Sequence, residues 1–277
     1  MRTVKLPDGT SIPALGMGTW GFGEAARTRA DEVRAIQAGI DHDIRLIDTA
    51  EMYGEGGAEE VIAEALDGRR DQVFLVSKVY PHNARRMNLL TACENSLRRL
   101  RTDRIDLYLL HWRGGVPLAD TVGGMEHLVQ QGKIRAWGVS NFDVDDMADL
   151  AKVAGGQNCA TNQVMFSLAE RGIEWRLLPD ARKRGMPVMA YSPLGQGSLP
   201  FDKAVLDVAK RHECSGAAVA VAWTLAQSGV ISIPKSANAA HMVEIAQAGE
   251  LQLTSDDTAR LNQAYPPPTS ARPLAKV

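Results

Sequence analysis

Residues 44–78 read IRLIDTAEMYGEGGAEEVIAEALDGRRDQVFLVSK and hold two short apolar runs, IRLID (44–48) and VFLVSK (73–78). Each run is continuous rather than alternating, the pattern of a strand covered on both faces. The residues between them suffice for a helical crossover, which two parallel strands require. The same rhythm recurs about every 25 to 35 residues in IDLYLLH (105–111), IRAWGVS (134–140), TNQVMF (161–166), PVMAYS (187–192) and VISIP (230–234), with LGMGT (15–19) ahead of them. Eight such runs predict an α/β fold of the (β/α)8 TIM-barrel type rather than an open sheet. Between runs the apolar spacing turns helical, as in Met87, Leu90, Cys93, Leu97 and Leu100.

Outward from this repeat, TVKL and SIPAL flank the turn residues Pro7-Asp8-Gly9 and predict an N-terminal β-hairpin over residues 1–14. The Pro-rich end YPPPTSARPLAKV, residues 265–277, predicts an irregular tail, and no linker divides the chain, so residues 1–277 are expected to form one barrel domain. AAVAVAWTLA (217–226) is half the length of a membrane span and predicts a buried helix.

The chain has 277 residues, 31 Lys and Arg against 33 Asp and Glu, and a formal charge of -2, so no global field attracts nucleic acid or an anionic membrane. Three widely spaced cysteines fit neither a disulfide framework nor a zinc site. His42, His82, His127 and His212 show no metal-ligand spacing either, though His82 falls on a candidate pocket loop. No metal is expected. A Pro-Asp-Gly turn stands where a secretory signal needs its apolar stretch, which predicts a cytoplasmic protein, and a monomer is expected.

Barrel enzymes place chemistry at the C-terminal ends of their strands. Asp48, Lys78 and His111 end three of the apolar runs, and Tyr53 follows Asp48 by five residues in DTAEMYG. An ammonium beside a phenol stabilises the phenolate and lowers the phenol pKa, so Lys78 is expected to bring Tyr53 toward neutrality. Asp48 would fix Lys78, and His111 would direct a substrate oxygen toward Tyr53. This set suits the reduction of a carbonyl.

The ordered motifs DTAEMYG, VSK, LLHW, GVSNF, NQV, AYSPL and IPKS resemble the aldo-keto reductase superfamily from about Gly16 to Pro267. YGEGGAEEVIAEAL, VSKVYPHNA and LYLLHW are most similar to a bacterial branch that includes methylglyoxal reductases. The resemblance implies NADPH-dependent reduction of small aldehydes and ketones, methylglyoxal or other 2-oxoaldehydes among them, without a metal. It implies Tyr53 as general acid in a tetrad with Asp48, Lys78 and His111. For the cofactor it implies Gly18, Thr19 and Asp48 near the nicotinamide ribose, and Ser140, Asn141 and Gln163 at the carboxamide. It implies Tyr191 stacked on the ring, and Ser192, Pro193, Leu194 and Gly195 near the pyrophosphate. Ile233 and Pro234 lead into Lys235 and Ser236, which match the pair that meets the 2′-phosphate. Glu244 agrees with the pattern, whereas His241 stands where the family has Arg and Ile245 where it has Asn. Imidazole is a titratable substitute for guanidinium, so NADH is a weaker alternative cofactor. Trp20, Tyr80, His111 and Trp112 are the expected substrate-binding residues, the aromatic ones walling an apolar slot.

Two other patterns read differently in context. GMGTWG (16–21) fits G-x-G-x-x-G, yet Pro13 breaks the run before it and helical spacing starts only near Ala30. DVDDMADL (143–150) crowds carboxylates but lacks the glycine and terminal Glu of a calcium loop, so acid at a helix start explains it. Two rival functions stand beside the reductase. One is a Schiff-base aldolase with Lys78 as nucleophile, the other a non-catalytic NADPH-binding regulatory subunit.

Overall fold

The apolar runs become the wall of a closed barrel. The computed structural model describes residues 2–277. A short antiparallel hairpin, β1 (Thr3–Lys5) and β2 (Ser11–Pro13), pairs Val4 with Ile12. Eight parallel strands follow: β3 (Gly16–Gly18), β4 (Leu46–Asp48), β5 (Phe74–Val79), β6 (Ile105–Leu110), β7 (Ile134–Ser140), β8 (Asn162–Met165), β9 (Val188–Tyr191) and β10 (Val230–Ser232). They lie side by side in chain order. A parallel bridge between Leu15 and Ser232 joins the last strand to the first, with Ser232 N–H donating to Ala14 O at 2.8 Å and Gly18 N–H to Pro234 O at 2.8 Å.

The helices are α1 (Arg29–Asp41), α2 (Gly57–Ala65), α3 (Arg86–Leu100), α4 (Leu118–Gln130), α5 (Val144–Ala151), α6 (Leu177–Lys183), α7 (Lys203–Arg211), α8 (Gly216–Leu225), α9 (Ala239–Gln247) and α10 (Ser255–Ala264). They bury outward-pointing strand residues such as Ile47, Leu75 and Val139 in one core layer. Inward-pointing Leu46, Val76, Leu107, Leu109, Met189 and Ile231 fill the barrel, and Leu6 and Ile12 of the hairpin join this inner cluster. Both faces of the barrel strands are covered along most of their length, which is why the sequence runs are largely apolar. The hairpin closes the barrel floor.

α8 is buried at every residue but Ala217, and its start is capped by Ser215 Oγ, which accepts from Ala218 N–H at 3.2 Å. Among the described residues no helix is long and apolar enough to cross a membrane. The acids of DVDDMADL cap α5: Asp143 N–H donates to Asp146 Oδ2 at 3.1 Å and Val144 N–H to Asp143 Oδ1 at 2.7 Å. GMGTWG is a barrel strand and its loop, and the next helix starts only at Arg29. In α3 the expected stripe needs a correction, because Met87 is 70% exposed and the inward face is Leu89, Cys93, Leu97 and Leu100 with Ala92 and Ser96. Two apolar rows overlap in this helix, and docking on the barrel selects the one starting at Leu89. Beyond Ala264 the chain has no helix or strand.

The hairpin's contribution to stability is testable at Ile12, which is fully buried. Ile12→Ala should lower the unfolding free energy by about 2–4 kcal/mol, seen as a lower urea midpoint at unchanged slope. A change within about 0.5 kcal/mol would show that the hairpin only rests against the barrel.

Candidate active site

All eight barrel strands run the same way, so their C-terminal ends share one rim. There the apolar filling gives way to polar side chains. Asp48 ends β4, Lys78 is the penultimate residue of β5, His111 follows β6, Ser140 ends β7, Gln163 lies in β8 and Tyr191 ends β9. Tyr53 is delivered by the loop after β4, which turns back toward the barrel before α2.

The centre of the group is Lys78, whose side chain is completely buried. An ammonium has three N–H donors and no acceptor. Here they meet Asp48 Oδ2 at 2.8 Å, Thr49 O at 2.8 Å and Tyr53 Oη at 3.1 Å. The second carboxylate oxygen, Asp48 Oδ1, accepts from Gln163 Nε2 at 2.7 Å, and Thr19 Oγ1 donates to the Asp48 carbonyl at 3.0 Å. The His111 ring meets the Tyr53 ring edge to face, with centroids 5.7 Å apart. Structure therefore brings Asp48, Tyr53, Lys78 and His111 together.

Burial decides the protonation states. It works against the charge on Lys78, but Asp48 and Tyr53 outweigh it and raise the ammonium pKa, so Lys78 stays cationic. Burial raises the Asp48 carboxyl, and Lys78 and Gln163 only partly oppose it. For Tyr53 burial is again the largest influence and raises the phenol, Lys78 pulls it down, and Asp48 adds to the rise. The expectation that Lys78 brings this phenol toward neutrality is thus corrected: desolvation wins, and Tyr53 holds its proton. His111 is pushed down to about 3, by burial first and Lys78 second, so its ring is neutral. His111 Nδ1 is buried without a hydrogen-bond partner, leaving Nε2 as the ring nitrogen available to the rim.

A cavity of about 650 Å³ opens above the group, walled by Gly18, Asp48, Tyr53, His111, Ser140, Asn141, Gln163, Tyr191, Ser192, Pro193, Leu194, Ile233 and Lys235. Trp20 and Trp112 line it as well. Ser140 Oγ donates to Gln163 O at 2.8 Å, and Asn141 Nδ2 donates to His111 O and to Ser140 Oγ, both at 3.2 Å. Tyr191 Oη donates to Asn141 Oδ1 at 2.9 Å, which fixes its ring at the cavity wall. Thr19 and Lys78 lie beneath the cavity rather than on its surface, and Pro234 is buried beside it. Gly195, Ser236, His241 and Glu244 also stand off its wall, with His241 exposed on the first turn of α9. Lys235 Nζ lies 5.4 Å from the centre of the Phe22 ring.

Tyr80, expected against substrate, does not line the cavity. Its ring lies 4.7 Å from that of His82 and meets Trp112 edge on at 5.9 Å, so it backs the wall. Met52, Gln196, Gly197 and Val277 line the cavity without having been expected. Adjacency to Tyr53 was a usable signal for Met52. For Val277 there was none, because its position depends on the path of the tail.

The chain matches the aldo/keto reductase family over residues 14–266. It is 49% identical to the methylglyoxal reductase YeaE of Escherichia coli, covering 100% of this chain and 99% of that protein. It is 34% identical to the glyoxal reductase of Bacillus subtilis over 94% of this chain and 91% of that protein. The crystal structure of an aldo/keto reductase from Klebsiella pneumoniae in complex with NADP and acetate superposes with a TM-score of 0.97 at 48% identity, covering 99% of each chain.

The neutral state of His111 has a consequence for acid stability. Its folded pKa is about 3 against an ordinary 6.5, so between these values the unfolded chain binds the extra proton. Stability should fall as pH falls through that window, by up to about 1.4 kcal/mol per pH unit from this group. His111→Asn should therefore lose less stability than wild type between about pH 6.5 and 4.5, as read from urea midpoints. Parallel losses in both proteins would mean that His111 carries no such penalty.

Proposed function

Because the chain belongs to the aldo/keto reductase family, we propose that it reduces small aldehydes and ketones to alcohols with NADPH, Tyr53 supplying the proton. The 2-oxoaldehydes, methylglyoxal among them, are the favoured substrates. The observation that carries this reading is the Lys78 ammonium bound to both Tyr53 Oη and Asp48 Oδ2.

The cavity suits the cofactor. Ser140, Asn141 and Gln163 gather amide and hydroxyl groups at its wall, suited to a carboxamide, and Tyr191 presents a fixed ring for stacking. A Cβ on Gly18 would lie 3.2 Å from Ile233 O, so glycine fits where β3 approaches the segment after β10. Ser192, Pro193, Leu194, Gly195, Ile233 and Pro234 would surround the pyrophosphate, and Lys235, Ser236, His241 and Glu244 would meet the 2′-phosphate side. The bound reduced nicotinamide supplies the hydride.

The protein's part is proton delivery. Lys78 donates to Tyr53 Oη, so the phenol's own hydrogen is left for a carbonyl oxygen in the cavity. When that proton leaves, the phenolate remains beside a cation already in place, and no reorganisation is needed. Neutral His111 would orient the same oxygen through Nε2. Among the side chains walling the cavity the charged ones are Lys235 and Asp48, and Asp48 is already paired. No free charge stands among Trp20, Met52, His111 and Trp112, which favours uncharged carbonyls over phosphorylated ones. The aldolase reading requires a neutral amine, and here Asp48 and Tyr53 keep Lys78 protonated in spite of its burial.

The test is a steady-state panel with NADPH and NADH. Methylglyoxal and compact aromatic aldehydes should show higher kcat/KM than phosphorylated sugars or steroids, with NADPH preferred. Tyr53→Phe should lower kcat by about 10²- to 10⁴-fold while the NADPH Kd is kept. Near wild-type turnover in that variant removes Tyr53 as proton donor. A folded, cofactor-binding protein inactive on the whole panel would favour the regulatory-subunit reading.

A further inference from the structure

Tyr53 is not on a strand, yet its phenol must sit within hydrogen-bond distance of a buried ammonium. Directly after Tyr53 the chain takes three left-handed residues, Gly54 (φ 56), Glu55 (φ 52) and Gly56 (φ 93), before α2 begins at Gly57. Glu55 pays about 1–2 kcal/mol for this conformation, so neighbouring contacts must impose it. A Cβ on Gly56 would lie 2.5 Å from Arg99 Cδ and 2.6 Å from Arg99 Nε, which shows how closely that side chain packs on the turn.

Arg99 belongs to α3 and touches no part of the cavity. Its Nε donates to Glu59 Oε2 at 2.6 Å, and its Nη2 to Ser96 Oγ at 3.3 Å. Glu59 is completely buried, and its other oxygen accepts from Ser77 Oγ at 2.7 Å. Ser77 precedes Lys78 in β5, while Gly56 follows Tyr53 by three residues. One ion pair is thereby connected to both partners of the 3.1 Å contact between Lys78 Nζ and Tyr53 Oη.

We propose that the Arg99–Glu59 pair is a positioning device that holds the Tyr53 phenol on the Lys78 ammonium from behind the barrel wall. The inference rests on the reading of Tyr53 as proton donor. A buried ion pair is a poor source of stability compared with apolar packing, but its hydrogen bonds are directional. Here that directionality fixes the turn against the strand.

The decisive variant is Arg99→Lys, which keeps a cation for Glu59 and removes the guanidinium from Gly56. It should lower kcat by about 10- to 100-fold, with the carbonyl KM and NADPH Kd held within about twofold. The solvent deuterium isotope effect on kcat should rise as proton transfer becomes slower. In a Tyr53→Phe background the same change should have no further effect, because Arg99 acts through Tyr53. Gly56→Ala disturbs the turn without altering the charges and should give the same signature; it decides the matter if Arg99→Lys does not fold. Unchanged kcat in folded Arg99→Lys, a joint loss of KM and cofactor affinity, or a further loss in the Tyr53→Phe background would each overturn the proposal. If Tyr53→Phe itself is active, the proton-donor reading fails, whereas an inactive Tyr53→Phe beside an unaffected Arg99→Lys removes this inference alone.

Discussion

A fully buried ammonium is the constraint around which the rim is arranged. Lys78 has three donors and no water to take them, so three acceptors must be brought to it, and they come from β4 and the loop that follows it. Asp48 in turn needs a partner for its second oxygen and finds it in Gln163, 115 residues further along the chain. That contact crosses the barrel interior and exists only when the sheet has closed. Satisfying one buried charge thus demands correct strand order, closure and a fixed loop at once.

The same exclusion of water, set against the charges it encloses, governs the protonation states. It keeps the phenol of Tyr53 protonated despite the adjacent cation, and the imidazole of His111 neutral. Asp48 and Tyr53 together keep Lys78 charged in spite of burial. A phenol that holds its proton, a cation that does not leave and a neutral ring beside them stand together, and none of them needs an unusual residue. Environment alone separates their behaviour.

Stability and chemistry occupy opposite ends of the barrel. At the floor, Leu6 and Ile12 plug the interior, and the buried carboxylate of Asp106 accepts from Leu75 N–H at 2.9 Å while pairing with Arg70 at 2.8 Å and Arg135 at 2.9 Å. These contacts tie β5, β6 and their neighbours together away from the cavity. At the rim, polar side chains replace apolar filling, and loops rather than strands supply Tyr53 and the segment from Ser192 to Gly197. This division lets the rim carry polar groups without weakening the core.

The sequence alone determined the strand order and the barrel class, because a strand buried on both faces must be an unbroken apolar run and a parallel neighbour must follow a long crossover. It also marked Asp48, Lys78 and His111, since polar residues at the ends of such runs face the rim, and Tyr53 in the loop that follows Asp48. The acidic cap of α5 was legible for an equally local reason, the orphan N–H groups of a first helical turn. Tertiary structure decided everything that depends on summed surroundings. It turned Met87 outward, set Tyr80 behind Trp112 instead of on the cavity, and brought Met52, Gln196, Gly197 and Val277 to the wall. It reversed the expected shift of Tyr53, because desolvation adds contributions from every element packed around the phenol while the sequence displays only the nearest charge. It also joined Arg99 to Glu59 across 40 residues. Pairwise spacing reveals which groups are near along the chain, but the depth at which a group is buried, and who lies behind it, are properties of the closed barrel.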